Sequence, residues 1–293
     1  MLKTLSPLAN IGIVNVATVP QRSPFRYPGC KTWLVPEIRT WLRSLPRKPE
    51  VLMEPFAGGS IASLTAIFES LAERVVMVEK DEHVAAVWQV ILEDAHWLAD
   101  QIIGFEITLD NVREALSYAP GSKCEKAFQA ILRNRVQRGG IMAPGASLMK
   151  TGENGRGIAS RWYPGTLAKR ILDIYGQRDR ITFIEGDAFE VIPDFLENQA
   201  VAFFIDPPYT AGGKQAGKRL YLHSEMDHEA LFSLMGSAKG DFMMTYDEAV
   251  EVEEMAIRYS FCVRRVPMKN TNHAKLYELL IHPHPKTFCQ VSA

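Results

Sequence analysis

The feature that most constrains the fold is a short apolar run that ends abruptly in two prolines. Residues 200–205 read Ala-Val-Ala-Phe-Phe-Ile, and Asp206-Pro207-Pro208-Tyr209 follows directly. An apolar run of this length that stops at turn residues is typical of a buried parallel strand opening into a loop. Doubly wound sheets bind their ligands at the carboxyl ends of the strands. The sequence therefore predicts a carboxylate, a rigid diproline and an aromatic ring at the edge where a site is expected.

Strand and helix patterns alternate on both sides of a long middle segment. Short apolar stretches predict seven strands, at residues 51–53, 74–78, 181–184, 201–205, 242–246, 262–267 and 276–282. Helical patterns separate most of them, which predicts an α/β fold with a mostly parallel, Rossmann-like sheet and helices on both faces. We expect this sheet domain to comprise residues 24–92 and 178–293. Residues 1–23 are then an N-terminal extension or strap, and residues 93–177 are an inserted, mostly helical domain.

The composition argues against membrane, secreted and metal-dependent proteins. The apolar runs reach about six to eight residues, well short of the roughly 20 that a membrane-spanning helix needs, and the first 23 residues lack the pattern of a secretory signal. The four cysteines are scattered and form no CxxC pair, at Cys30, Cys124, Cys262 and Cys289. We therefore predict a reduced, cytoplasmic protein without a bound metal.

Basic residues are concentrated in the middle of the chain, although the net charge of the whole is only −1. Between residues 123 and 170 there are ten basic residues and two acidic ones, together with glycine-rich loops and two neighbouring aromatics, Trp162 and Tyr163. This composition is typical of a segment that binds the phosphate backbone of a nucleic acid. The alternative is a solvated helical face on which the charges cluster by chance.

The turn that begins at Asp206 suits methylation of a planar amine. The lone pair of an aromatic exocyclic amine is delocalised into its ring, so the nitrogen is a poor nucleophile. Asp206 can accept one N–H bond and the carbonyl of Pro207 the other, since proline offers an acceptor without a competing donor. Pro208 keeps the turn rigid, and Tyr209 can stack on the ring of the substrate. The alternative is an aspartate that caps a helix before a proline turn.

A cofactor site is predicted from the ends of the neighbouring strands. The loop Pro55-Phe56-Ala57-Gly58-Gly59-Ser60 follows the first strand, and its glycines allow close approach of a ligand. Glu79 ends the second strand, where a carboxylate can bind both ribose hydroxyls of a nucleoside. Asp187 ends the third strand and either contacts an adenine amine or caps the next helix. These features fit NAD as well as S-adenosylmethionine, although the loop lacks the GxGxxG pattern of dinucleotide sites.

Taken together, these motifs resemble the Dam-type DNA adenine-N6 methyltransferases. The resemblance runs from about residue 24 to about residue 282, in the order Phe25–Lys31, Pro55–Ser60, Glu79, the insertion and Asp206–Tyr209, and ends in a hairpin that includes Glu278–Ile281. It departs from the family at Cys30, Ser60 and Glu79, where Gly, Gly and Asp are usual.

The resemblance implies a Rossmann-like methyltransferase fold that uses S-adenosylmethionine, with residues 93–177 as the target recognition domain. It implies cofactor contacts from seven positions and from Asp206, the seven being Tyr27, Lys31, Phe56, Ala57, Gly58, Glu79 and Asp187. It also implies that residues 206–209 hold an adenine extruded from double-stranded DNA. Whether a restriction enzyme accompanies the protein stays open.

Candidate DNA contacts are basic residues of the insertion and of the glycine-rich loop after Tyr209. They are Arg133, Arg135, Arg138, Lys150, Arg161, Lys214, Lys218 and Arg219. The sequence leaves two other readings open. One is an amino-methyltransferase acting on cytosine N4 in DNA or on RNA, and the other is a catalytically inactive DNA-binding module on a methyltransferase scaffold.

Overall fold

The computed structural model describes residues 14–26, 31–140, 142, 146–152, 155–208, 226–269 and 275–283. Its centre is a seven-stranded sheet with the strand order β3-β2-β1-β4-β5-β7-β6. The strands are β1 Val51–Glu54, β2 Arg74–Glu79, β3 Ile181–Glu185, β4 Val201–Ile205, β5 Asp241–Asp247, β6 Cys262–Lys269 and β7 Lys275–His282. The first five run parallel, and β7 is antiparallel to both of its neighbours. The predicted Rossmann-like sheet and all seven predicted strands are confirmed.

Ten α-helices are described. They are α1 Val35–Ser44, α2 Ile61–Phe68, α3 Glu82–Glu93, α4 Ala95–Gly104, α5 Leu109–Ser117, α6 Lys123–Val136, α7 Pro164–Tyr175, α8 Ala188–Val191, α9 His228–Ser237 and α10 Val250–Arg258. Side-chain caps begin several of them: the carboxylate of Asp81 accepts from His83 N at 2.8 Å, and that of Asp227 accepts from Ala230 N at 2.9 Å. These bonds satisfy backbone donors that a helix leaves open at its start.

The alternation of side chains along the strands produces two hydrophobic layers. Phe203 and Ile205 face the layer covered by α8, α9 and α10, whereas Ala202 and Phe204 face the layer of the earlier helices. β4 is buried along its whole length. Because both faces of the central strands are covered, their sequence is continuously apolar rather than alternating.

Helices α4 to α7 occupy most of the predicted insertion. They pack beside α3, and their buried side chains belong to the same hydrophobic cluster as Leu52 and Met77 of the sheet. This segment therefore extends one helical layer and shares its core. The boundaries at residues 93 and 177, and the role in target recognition, stay predictions.

The described part of the N-terminal extension lies across the start of the fold. Val19 is buried against Val35 and Ile61, and Arg22 forms an ion pair with Glu69 at 2.9 Å. Residues 1–13 lie outside the described residues, and the choice between an extension and a strap for residues 1–23 stays a prediction. Among the described residues, no helix is both long enough and apolar enough to span a membrane.

Candidate active site

Three carboxylates meet at the carboxyl edge of the parallel strands. Glu79 ends β2, Asp187 follows β3 and Asp206 follows β4, and all three line one cavity of about 400 Å³. The chain runs outward from β1 through β2 to β3 and then returns to β4 beside β1. The edge between β1 and β4 is thus the point where the strand order reverses, which is where such sheets bind ligands.

The loop after β1 is fixed by a buried carboxylate at its start. Glu54 is 3% exposed, and its Oε2 accepts from the hydroxyl of Ser60 at 3.0 Å and from Ser63 N at 2.8 Å. Burial raises the pKa of Glu54 to about 7, although these hydrogen bonds act in the opposite direction. Gly58 has a φ of +45°, which favours glycine. Its carbonyl accepts from Trp88 Nε1 at 2.9 Å, so the loop is held from both sides.

Backbone amides hold the carboxylate of Glu79. Oε2 accepts from Gly58 N at 2.8 Å, and Oε1 accepts from Lys80 N and Asp81 N, both at 2.9 Å. Burial raises the pKa of Glu79, and the backbone hydrogen bonds partly offset the shift. The carboxylate is therefore oriented by the chain itself beside the cavity, as a binder of ribose hydroxyls would need to be.

Asp187 serves as a helix cap, one of its two predicted roles. Its Oδ1 accepts from Phe189 N at 2.9 Å at the start of α8, and its Oδ2 accepts from Lys80 Nζ at 2.7 Å. It also lines the cavity together with Phe56 and Phe189. Capping and a contact with an adenine amine are compatible at this position, and the second role stays a prediction.

The carboxylate of Asp206 is positioned by side chains from two distant parts of the chain. The hydroxyl of Thr245 on β5 donates to Oδ1 at 2.7 Å, and Lys31 Nζ lies 3.1 Å from the same oxygen. Lys31 also lies 3.3 Å from Oε2 of Glu278 on β7. Pro208 lines the cavity, whereas Pro207 is buried and is not part of the lining; its contact with a target amine stays a prediction. Asp206 thus faces the cavity at one end of a buried chain of charges.

A hydrogen-bonded aromatic pair stands beside this cluster. His228 Nδ1 lies 3.1 Å from the hydroxyl of Tyr246 on β5. Burial, helped by the negative charge of Asp206, raises the pKa of Tyr246 far above its usual value, and burial lowers the pKa of His228. Both shifts favour the neutral forms of the two side chains, which are joined by this hydrogen bond.

Two predicted cofactor contacts lie behind the cavity wall instead of on it. Lys31 is 2% exposed and directs its ammonium group to Asp206 and Glu278. Ala57 is 3% exposed, and its amide donates to the carbonyl of Val78 at 2.9 Å. Neither residue is part of the cavity lining, and their contact with a cofactor stays a prediction. Phe56 and Gly58 do line the cavity, as predicted.

The basic residues of the insertion differ in exposure. Arg138 and Lys150 are exposed, while Arg133 and Arg161 are half-buried. Arg135 is 5% exposed and donates to the carbonyl of Pro24, and burial lowers its pKa to about 9. In this arrangement Arg135 anchors the segment before Lys31, and its role as a DNA contact stays a prediction. Tyr27, Tyr209, Lys214, Lys218 and Arg219 lie outside the described residues.

Two side chains that contact Asp206 or Lys31 were not predicted as site residues from the sequence, Thr245 and Glu278. Each is a polar residue inside an otherwise apolar strand, in Met-Met-Thr-Tyr and in Glu-Leu-Leu-Ile. Both are buried, at 0% and 3% exposure. A buried polar side chain needs a hydrogen-bond or charge partner. A polar residue within a strand that is predicted to be buried could therefore have indicated these two positions from the sequence.

Comparison with known proteins gives only distant similarities. No protein-family model matches the chain, and no curated protein matches it. Among solved structures, a proposed RNA methyltransferase from Pyrococcus horikoshii is 10% identical with a TM-score of 0.41, and the match covers 91% of this chain and 90% of that chain. A SAM-dependent methyltransferase from Agrobacterium tumefaciens is 11% identical with a TM-score of 0.39, covering 86% of this chain and 60% of that chain.

A third similar structure is the rRNA methyltransferase aviRa from Streptomyces viridochromogenes. It is 13% identical with a TM-score of 0.39, and the match covers 88% of this chain and 86% of that chain. Since all three TM-scores are low, we take the fold from the strand order and conclude nothing about activity from these similarities. The resemblance to the Dam-type family stays a prediction.

Proposed function

We propose that this protein transfers a methyl group from S-adenosylmethionine to the exocyclic N6 amine of an adenine flipped out of double-stranded DNA. The observation that carries the proposal is the single cavity in which the carboxylates of Glu79 and Asp206 stand at the ends of two different strands. Its volume of about 400 Å³ lies within the range of small-molecule and cofactor sites.

The residues around Glu79 fit the nucleoside end of the cofactor. Glu79 would accept hydrogen bonds from both ribose hydroxyls, with its orientation already set by the amides of Gly58, Lys80 and Asp81. Phe56 and Phe189 supply apolar lining, and Asp187 an acceptor for an adenine amine. Bound there, S-adenosylmethionine supplies a methyl group activated by its sulfonium charge.

The residues around Asp206 fit the target amine. Asp206, which lines the cavity, would accept one N–H, and the second acceptor that the sequence indicates is the backbone carbonyl of the next residue, Pro207. Two acceptors favour a more tetrahedral nitrogen with its lone pair directed at the methyl carbon. A carbon–nitrogen bond forms, the carbon–sulfur bond breaks, and the amine loses one proton. Asp206 can accept that proton before water carries it away. The protein contributes positioning and electrostatics, and no covalent intermediate is required.

The basic insertion supports a nucleic-acid substrate. Arg138 and Lys150 are exposed, and Arg133 and Arg161 are partly so. Contacts of such side chains with phosphates would offset the few kcal/mol that extrusion of a base costs. The same chemistry would serve cytosine N4 or an RNA substrate, so those alternatives become outcomes of the test.

The deciding experiment combines labelled methyl transfer with identification of the product nucleoside. The purified protein is incubated with methyl-labelled S-adenosylmethionine and with duplex DNA or RNA, and the digested product is separated by mass spectrometry. We expect the labelled nucleoside from duplex DNA to be N6-methyl-2′-deoxyadenosine. If the label is found in cytosine or in RNA, the proposed substrate is wrong and that nucleic acid takes its place. If the protein binds the cofactor but transfers no methyl group to any substrate, it is an inactive binding module.

Variants assign the reaction to the proposed site. Asp206→Ala should abolish transfer while cofactor binding, measured by calorimetry, remains detectable. Asp194→Ala is the matched control, because Asp194 is an exposed aspartate of a short helical turn away from the cavity lining. Retained activity in Asp206→Ala would refute the assignment.

A further inference from the structure

Behind the cavity, one buried lysine joins two carboxylates. Lys31 Nζ lies 3.1 Å from Asp206 Oδ1 and 3.3 Å from Glu278 Oε2. The side chains of Lys31 and Glu278 are 1% and 4% exposed, whereas that of Asp206 is 24% exposed. The contact between Lys31 and Glu278 is an ion pair. Of these three residues only Asp206 lines the cavity, so Glu278 can act on a ligand only through Lys31 and Asp206.

Glu278 occupies a costly position for a carboxylate. It lies in β7, between its neighbours Asp247 on β5 and Val266 on β6, and it is followed by Leu279 and Leu280. Transfer of a charged group into such a site is unfavourable, and an apolar side chain of similar volume is often as stable or more so. Stability alone therefore does not account for a glutamate here.

We propose that Glu278 is a positioning residue for the methyl transfer: it holds Lys31 against Asp206 and tunes how strongly Asp206 accepts a proton from the target amine. This inference rests on the function proposed above. It assigns the last strand pair of the sheet a part in the reaction, although Glu278 touches neither cofactor nor substrate.

The tuning follows from the sum of the charges around Asp206 in a buried site. When Glu278 is ionised, its negative charge offsets part of the positive potential that Lys31 produces at Asp206, and Asp206 remains a good acceptor for the N–H of the target amine. When Glu278 is protonated, this offset is lost and the positive charge of Lys31 makes Asp206 a weaker acceptor. The ionised form of Glu278 therefore favours the reaction.

The charge state of Glu278 changes close to neutral pH. Burial raises its pKa to about 7, Lys31 lowers it, and the negative charges of Asp206 and Asp247 raise it further. Among the described residues these three charged groups act on Glu278, and they come from the short 3-10 helix before α1, from the residue after β4 and from the end of β5. The transfer rate should accordingly rise as the pH passes through about 7.

The test is the pH dependence of single-turnover methyl transfer at saturating cofactor and DNA, between about pH 5.5 and about pH 9. Glu278→Gln keeps the shape of the side chain but cannot ionise. We expect a single-turnover rate roughly ten- to hundredfold lower, as for other residues that orient a reacting group, while the Kd of the cofactor, measured separately by calorimetry, is unchanged. The rise near neutral pH should disappear.

Glu37→Gln is the matched control, since Glu37 is also a buried carboxylate in an ion pair, with Arg264, and lies outside the proposed site. It should keep the rise near neutral pH. If Glu278→Gln retains both the wild-type rate and the wild-type pH profile, the inference is wrong while the proposed function stands. If the wild-type protein methylates no nucleic acid, both are wrong.

A second variant leaves the buried site intact, in case Glu278→Gln does not fold. Asp247→Asn removes a negative neighbour that raises the pKa of Glu278. We expect the midpoint of the rise to move to lower pH. A midpoint that does not move overturns the inference, because the group that titrates is then not Glu278.

Discussion

Replacing Lys31 by methionine should destabilise the protein in a pH-dependent manner. Methionine keeps an unbranched side chain of similar length and removes the charge, leaving the carboxylates of Asp206 and Glu278 without it. The gross attraction at 3.3 Å is about 5 kcal/mol at an effective dielectric constant near 20. Breaking a buried pair costs about 3–5 kcal/mol in total. The ion pair of Lys31 with Asp206 contributes less, because the side chain of Asp206 is 24% exposed. We therefore expect the free energy of unfolding to decrease by about 3 kcal/mol at about pH 8.

The pH dependence follows from the pKa of Glu278. Without Lys31 that pKa rises above its value of about 7, so the folded variant binds a proton above neutral pH that the folded wild type has released. Its unfolding free energy therefore falls more steeply with rising pH, by about 1.4 kcal/mol per pH unit. At about pH 5.5 the carboxyl of Glu278 is protonated in both proteins, and the loss should be smaller by about 1–2 kcal/mol.

Urea denaturation of the cofactor-free protein at both pH values measures these losses. Lys48→Met is the matched control, because Lys48 pairs with Glu73 at the surface and such pairs contribute about 0–1 kcal/mol. The double variant Lys31→Met, Glu278→Gln should recover part of the loss, since the buried carboxylate is gone. A loss below about 1 kcal/mol at about pH 8, or equal losses at both pH values, would refute the buried ion cluster.

Three further predictions concern the rest of the site and the basic surface. Glu79→Gln should weaken S-adenosylmethionine binding about ten- to hundredfold in calorimetry, because an amide cannot accept from all three backbone N–H groups; an unchanged Kd would remove Glu79 from the site. Arg138→Ala with Lys150→Ala should reduce the slope of log Kobs against log salt for DNA by about 1.8, and an unaltered slope would exclude both as phosphate contacts. Because burial raises the pKa of Glu54 to about 7, the folded state keeps a proton that the unfolded state loses above about pH 4.5. The unfolding free energy should therefore fall as the pH rises to about 7, and Glu54→Gln should show a smaller fall in urea denaturation.

The positions of the strand-end carboxylates were predictable because they depend on local sequence. A buried parallel strand needs only a short apolar run, and the residue at its end is then placed at the binding edge by the topology alone. Asp206, Glu79 and Asp187 are read from single segments in this way, and all three line the cavity.

The partners of Asp206 could not be predicted in the same way. Thr245 and Glu278 lie 39 and 72 residues further along the chain, and they reach Asp206 and Lys31 only through the order of β4, β5 and β7 in the sheet. The exposure of the basic residues in the insertion could not be predicted either, because their number in the sequence does not show that Arg135 is buried. Its burial against the carbonyl of Pro24 depends on how α6 packs, and the local composition does not report it.

The two ends of the cavity are held in physically different ways, and this difference has a consequence for function. Glu79 is oriented by backbone amides, whose hydrogen-bonding capacity does not change with pH. Asp206 is oriented by a lysine that a second carboxylate shares, and burial raises the pKa of that carboxylate to about 7. A change of pH around neutrality should therefore alter the acceptor strength of Asp206 while the carboxylate of Glu79 keeps its orientation. Cofactor affinity and transfer rate should then separate, the first varying little across neutral pH and the second rising with it.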